Sequence, residues 1–362
     1  MPQSRPFLIG YGTIIALVII FLANKVSFIF QPIVILVQTL FFPFLVSGVL
    51  YYLFRPIVNY LYSLQVPRLI SILSIYILFI GLLVLLGFLL GPPLKEQLTR
   101  LIENFPHILE TAQKKFIELN QQPWVSQNID WNEISKNVTN YLKDSFVSIG
   151  ANIAGFFGLI ANIVVVFVTV PFILYYMLKE GEKAPSYMLR ILPKKEREEG
   201  LKILSAMDSA LSSYIKGQIL VSVFVGIIVY IGYLIIGIDY ALILALATML
   251  TNVIPFIGPL IGMVPALIVG FIDSPIMVVK VLIVAVIAQQ LEGNLVSPYV
   301  MGKSLNIHPL TIIVILLVAG SLGGFLGLLL AVPTYAVLKV VIYHIYRLWR
   351  LHQWNRRGEK SL

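Results

Sequence analysis

The sequence predicts an all-α polytopic membrane protein with about eight hydrophobic segments, two of them broken helical hairpins that form an inverted repeat, plus a polar helical insertion. Three observations predict it. Hydrophobic residues make up 59% of the 362 and charged residues only 12%, whereas a water-exposed fold carries about a quarter charged. Apolar runs able to cross a hydrocarbon core of about 30 Å recur along the whole chain. Two of these runs, 240–272 and 309–342, are interrupted in the middle by helix-stopping residues, Asn252-Val253-Ile254-Pro255-Phe256-Ile257-Gly258-Pro259 in the first and Gly320-Ser321-Leu322-Gly323-Gly324 in the second.

Taken in order, the apolar segments fall at 7–23, 28–54, 67–90, 150–178, 212–236, 240–272, 276–297 and 309–346. The first is read as an uncleaved span, since no small-x-small cleavage site separates it from the second. After these N-terminal spans, 1–91, comes a polar insertion, 92–149, in which acids slightly outnumber bases and Leu94, Leu98, Leu101, Phe105, Ile108, Ala112, Phe116 and Leu119 form an apolar stripe interrupted at Pro106. Spacings near three and four make it a helix face. The fourth span and a cytoplasmic amphipathic linker occupy 150–211, with a second stripe, Leu201, Leu204, Met207, Leu211 and Tyr214, expected to lie along the membrane surface. A transport core, 212–346, and a basic tail, 347–362, complete the chain.

The formal charge of +9 comes from lysines and arginines between and after apolar segments: Arg5, Arg55, Arg68, Lys179 to Lys216, and Lys339 to Lys360. Placing all of these in the cytoplasm lets the spans alternate without conflict, with both termini inside and the insertion outside. This pattern serves orientation and argues against nucleic acid as a partner; the lipid bilayer is the partner it implies. There is no cysteine, which removes disulfides and thiol chemistry.

The two broken segments align at an offset of 68 residues, pairing Leu242 with Leu310, Leu260 with Leu328, Val264 with Val332, Pro265 with Pro333 and Val269 with Val337. Each follows one unbroken span. As single helices of about 33 residues they would run about 50 Å, and as halves only about 21 Å, so each reads as a hairpin entering and leaving on one side, with four short, tilted full spans joined by loops at the surfaces as the alternative. The intervening span then reverses the second unit, the inverted-repeat plan of secondary transporters, with tips expected to meet near the midplane.

Polar residues inside apolar segments are site candidates by default. Here they are Thr248, Thr251 and Asn252 before the first tip, with Pro255, Gly258 and Pro259 shaping it; Gly320, Ser321, Gly323, Gly324 and Gly327 at the second; Gln289, Gln290, Glu292 and Asn294 late in span 276–297; and Gln218 early in span 212–236. Amides donate and accept together, which suits hydroxyl- or carbonyl-bearing solutes, although helix-to-helix bonding is the alternative use of Gln289 and Asn294. Glu292 is either the one carboxylate placed to change protonation or a rim residue paired with a lysine such as Lys216. Asp239 and Asp273 are read at the outer surface. Enzyme signatures fail: Met301-Gly302-Lys303-Ser304 lacks the first glycine of a phosphate loop, no HExxH helix exists, and His107, His308, His344 and His352 are scattered. Neither Asp239 with Asp273 nor Ser321 with a histidine sits in a protease context. No enzyme, cofactor or metal is expected.

The chain resembles the autoinducer-2 exporter-like (AI-2E) family of permeases. The residues that carry the likeness are Pro171-Phe172-Ile173-Leu174-Tyr175-Tyr176-Met177-Leu178-Lys179, Gly217-Gln218, Asn252 to Pro259, Gln289, Glu292, Asn294, Pro298, His308-Pro309-Leu310, the glycines from 320 to 327, and Ala331-Val332-Pro333. Where the family often ends its fourth-span motif Lys-Asp, this chain has Lys179-Glu180. The resemblance implies a multi-pass protein of the bacterial inner membrane that exports small polar solutes, with the quorum-sensing furanone autoinducer-2 as the name-giving case. It also implies sodium(lithium)/proton antiport as an alternative, and a homo-oligomer, with a pentamer as the suggested assembly. A non-transporting membrane scaffold is the third reading.

Overall fold

The computed structural model describes residues 5–25, 27–120, 156–191, 193–301 and 307–358, and every regular element among them is helical. The insertion beyond 120 and residues 302–306, with Gly302, Lys303 and Ser304, lie outside the described residues. The elements are α1 (Arg5–Lys25), α2 (Ser27–Ser63), α3 (Arg68–Asn120), α4 (Phe156–Glu180), the short α5 (Ala184–Met188), α6 (Lys194–Ile236), α7 (Ala241–Thr251), α8 (Ile257–Asp273), α9 (Pro275–Leu291), a π-helical turn at Glu292–Val296, α10 (Ser297–Met301) and α11 (Pro309–Gly358). Five stretches among the described residues are long and apolar enough to cross a membrane: Val34–Ser63, Arg68–Ile108, Glu196–Ile236, Pro275–Val300 and Pro309–His344. Large apolar side chains such as Phe88 and Ile235 stand outward on them, as a lipid solvent permits.

The chain divides into two compact units, residues 1–51 with 158–177, and residues 52–157 with 178–362. In the first, the buried Ser47 hydroxyl donates to the Val170 carbonyl at 3.1 Å, one residue ahead of Pro171. This is the kind of interhelical bond that small hydroxyl residues make where lipid offers no partner.

In the second unit α3 is one continuous helix of 53 residues, about 80 Å long, and it passes through Pro92, Pro93 and Pro106. The change at 92 is therefore a change of polarity, not a break in the backbone, and Pro106 does not interrupt the helix. Likewise the linker and the fifth span are one helix, α6, of 43 residues. The linker continues the axis of the span instead of turning into the membrane surface, because no proline stands between Lys194 and Ile236. Gly237, left-handed at φ 73°, ends α6 with its own N–H and that of Ile238 returned to the Tyr233 carbonyl.

The basic residues at the proposed cytoplasmic side are tied together. Arg55 meets Asp208 of α6 at 2.6 Å, and Arg68 bonds the Leu178 carbonyl and Glu182 at 3.1 Å each. Asn59 also donates to Glu182, at 3.1 Å. Burial pulls the Glu182 carboxyl upward, but the Asn59 hydrogen bond and the Arg68 and Arg55 charges outweigh it and hold the group below its ordinary value.

The core of this unit is built on α6. Val221, Val225, Val229 and Tyr233, one turn apart, are buried against Ala245 of α7, Ala266 of α8, and Val281, Val284 and Ala288 of α9. Gly226 lets α7 approach, since a Cβ there would lie 2.7 Å from Met249 Cβ. Ser274 then caps α9, accepting the Met277 N–H at 3.2 Å, with Pro275 at the first helical position.

Both broken segments are hairpins. In the first, α7 and α8 pack together across the tip 252–256, where Phe256 takes φ 62°. In the second, α11 is two helices joined at Gly324, with φ 55° and ψ −136°. Residues eight apart in a straight helix are separated by about 12 Å, yet the Gly327 backbone lies against the Ala319 carbonyl and Gly320 against Leu328, so the chain reverses. The offset of 68 residues carries Phe256 onto Gly324, the positive-φ residue of each tip, and Thr251 onto Ala319, the carbonyl against which a glycine is pressed in each. Pro265 and Pro333 also correspond. The repeat seen in sequence thus places a positive-φ residue at each tip, although ψ differs, −47° at Phe256 and −136° at Gly324.

Candidate functional site

The first tip is built by close approach. A Cβ on Gly258 would collide with the Thr251 carbonyl and lie 2.9 Å from Asn252 Cα, and one on Gly262 would lie 2.6 Å from Thr248 Cα. Glycine is needed at 258 because no backbone atom there can give way. Thr248 and Thr251 turn their hydroxyls inward, Thr248 to the Leu244 and Gly262 carbonyls at 3.0 and 3.2 Å, and Thr251 to those of Ala247 and Thr248 at 2.9 and 3.1 Å. These threonines brace the hairpin. The backbone of the tip is also largely used: Asn252 N–H reaches the Thr248 carbonyl, Ile254 N–H that of Thr251, Ile257 N–H that of Pro255 and Gly258 N–H that of Ile254. Pro259 has no N–H to offer. The bare backbone groups expected from an irregular tip are therefore mostly absent at this one.

What is bare is a side chain. Asn252 is 0% exposed, its carbonyl accepts from Gln218 Nε2 at 2.6 Å, and neither its Oδ1 nor its Nδ2 has a hydrogen-bond partner. Ser222, one turn beyond Gln218 on the same face of α6, is buried with its hydroxyl equally unpartnered. The Glu292 carboxyl lies near the Asn252 amide without closing to hydrogen-bond geometry. Glu292 stands in the π-helical turn that follows α9, half-buried, and accepts from Gln289 Nε2 at 3.2 Å. Such turns recur at functional sites because the extra residue re-aims side chains. Among the ion pairs of the described residues none joins Glu292 to Lys216 or to any other base.

The remaining candidates separate into groups. Gln289 and Gln290 stand at one edge of a groove of about 500 Å³ whose other walls are apolar, with Val229 and Tyr233 of α6, Phe256, Pro259 and Met263 of the first hairpin, and Ile313 of α11. Asn294 is exposed and donates to Gln290 at 3.1 Å, so both amide pairs run along their own helix and not across to another. Gly323 and Gly327 line a second groove, about 550 Å³, between the arms of the second hairpin, and Ser321, exposed, bonds the Val318 carbonyl at 2.8 Å. The tips do not meet end to end. Ile254 of the first packs on Leu316 and Ala331, on the two arms of the second and about two turns from Gly324.

The remaining motif residues lie on α4, α6, α10 and α11. Leu174 and Leu178 are buried one turn apart while Phe172 and Tyr176 face outward, and Tyr175 meets Tyr176 edge to face at 5.4 Å. Lys179 is exposed near the end of α4, Gly217 is buried beside Gln218, Pro298 opens the turn of α10, Pro309 starts α11 and Pro333 lies within its second arm. Asp239 and Asp273 are exposed at the open end of the first hairpin, where they line a polar cavity of about 470 Å³ with Asn104 and His107. Among the described residues no group of three acidic or histidine side chains is placed to hold a metal ion. Sequence reading missed Ser222, whose signal was its spacing of four from Gln218.

Comparison with known proteins agrees with this architecture. The model of the AI-2E family transporter matches residues 13–347. The chain is 46% identical to "Putative transport protein YueF" of Bacillus subtilis (strain 168), over 95% of each chain, and 34% identical to "Putative transport protein YrrI" of the same strain, over 94% and 96%. It is 29% identical to "Putative permease PerM" of Escherichia coli (strain K12), over 83% of this chain and 86% of the other. With paired hairpins braced on α6 and a family match spanning both, this chain belongs to the AI-2E transporter family.

Proposed function

We propose that this protein is a secondary transporter that exports a small polar organic solute of the autoinducer-2 type across the inner membrane by alternating access, with both termini cytoplasmic. The observation that carries this reading is the Asn252 side chain, buried beside Gln218 and Glu292 with both amide atoms unpartnered. An orphaned buried polar group costs about 1–3 kcal/mol, and a neutral solute that both donates and accepts would relieve that cost. In the membrane interior water is scarce, so the discrimination in favour of such a solute is strong. The test is uptake of labelled autoinducer-2 into proteoliposomes. Native protein should move it and Asn252→Leu should not; undiminished flux in a well-folded Asn252→Leu would remove the site from the pathway.

A second reading, sodium or lithium exchange for protons, is favoured by one observation: Glu292, inside a span, lies by the amides of Gln289 and Asn252, and among the described residues no base forms an ion pair with it. A lone intramembrane carboxylate is the group such exchange needs. Sodium-dependent proton movement, followed with a trapped pH dye and abolished in Glu292→Gln, would put this reading first.

A further inference from the structure

The outer half of α3 touches the first hairpin at both of its feet. Gln97 Oε1 accepts the Ile243 N–H at 3.3 Å, in the first turn of α7. Asn104 Nδ2 donates to the Tyr240 hydroxyl at 3.1 Å. Lys115 Nζ donates to the carbonyls of Phe271, Ile272 and Asp273 at 3.1, 2.6 and 3.1 Å, the last turn of α8. The spacings of seven and eleven residues are about two and about three helical turns, so all three side chains leave one face of α3. Each meets a group that a helix end leaves without a partner or that the backbone holds under strain. The first-turn N–H of α7 and the last-turn carbonyls of α8 have no intrahelical partner, and a cation at the latter also faces the negative end of the helix dipole. Tyr240 sits at φ 59°, a conformation that side-chain-bearing residues resist.

The same hairpin is held at its tip by Gln218 and along its length by α6 and α9. The second hairpin is held differently. Among the described residues it packs on α6, meets the first hairpin through Ile254, Leu316 and Ala331, and turns on a glycine, with the hydrogen bonds of Ser321 and His344 kept within it. Apolar contacts are non-directional and slide more readily than hydrogen-bonded ones.

We propose that Gln97, Asn104 and Lys115 are positioning residues that clamp the first hairpin to α3, making that hairpin the static half of the transporter and the second hairpin the half that moves. The division rests on the alternating-access reading; the clamp does not. Because the chain has no cysteine, spin labels can be placed in the full-length protein in liposomes. Ile102, Leu260 and Leu322 are all exposed sites for them. Double electron–electron resonance between positions 102 and 260 should give one narrow distance population, and between 260 and 322 two populations or one broad one. The triple variant Gln97→Leu, Asn104→Leu, Lys115→Met should split or broaden the first distribution; Lys115→Arg alone should leave it narrow. Should the triple variant destabilise the fold, Lys115→Met alone serves, with exchange of the 270–274 amides as its readout. A first distribution already broad in the native protein, or one unmoved by the triple variant, overturns the clamp. A first distribution that responds while the second stays narrow in every condition overturns alternating access between the hairpins and not the clamp.

Discussion

The Gln218 to Asn252 bond offers the sharpest test of how the first tip is held. Asn252 follows the last turn of α7, so its carbonyl is one of the acceptors a helix end leaves without a partner. Gln218 supplies the donor from α6 at 2.6 Å, with its own side chain only 5% exposed. In Gln218→Leu the volume is nearly conserved, so repacking contributes under about 1.5 kcal/mol. Interhelical side-chain bonds in membranes average about 0.6 kcal/mol and reach about 1.7, whereas a buried acceptor left with nothing costs about 1–3 kcal/mol. With no water to replace the glutamine, the loss should fall at about 1–2 kcal/mol, roughly tenfold in the unfolding constant at its midpoint. Equilibrium unfolding in mixed micelles, followed by far-ultraviolet circular dichroism, measures the global loss. Hydrogen exchange of the amides from Asn252 to Gly258 measures the local one and should rise. Stability within about 0.5 kcal/mol of the native protein, with unchanged exchange at the tip, would refute the reasoning and make the bond incidental.

Two further outcomes follow from the same geometry. Gly258→Ala should cost about 1–3 kcal/mol or prevent folding, because its Cβ meets only backbone, while Gly323→Ala, with open space around it and no positive φ, should change stability little; thermal melts of the pair in detergent check the contrast. Glu182 has its pKa lowered in the fold, so the stability it contributes is complete above the unfolded value of about 4.3 and is lost as pH falls through the lower folded value. Glu182→Gln should lower stability at neutral pH and change it little below the folded value, so that the acid limb of the profile flattens in that window.

Much of the architecture was legible in the chain because its causes are local. Lipid leaves helices as the only way to satisfy backbone groups in apolar runs of this length, and Asn252 to Pro259 and Gly320 to Gly324 break helices wherever they stand. The repeat offset was equally legible, since Pro265 and Pro333 preserve it, and the structure adds that Phe256 and Gly324 share a positive φ. The segments misjudged were those where local signals mislead. Pro106 reads as an interruption, yet α3 runs through it, because tertiary contacts at Gln97, Asn104 and Lys115 hold the helix on both sides of it.

At the candidate site the division is sharper. The sequence by itself determined which polar residues lie at membrane depth, since hydropathy alone marks Gln218, Asn252, Gln289 and Glu292 as misplaced in apolar runs. What each one touches depends on the tertiary structure. It gave the threonines and most tip backbone groups partners inside the hairpin, turned Asn294 outward onto Gln290, and left Asn252 and Ser222 buried without partners. Hydrogen-bond satisfaction depends on atoms brought together from helices 34 to 74 residues apart in sequence, as Gln218, Asn252 and Glu292 are, and no periodicity within one helix encodes that meeting.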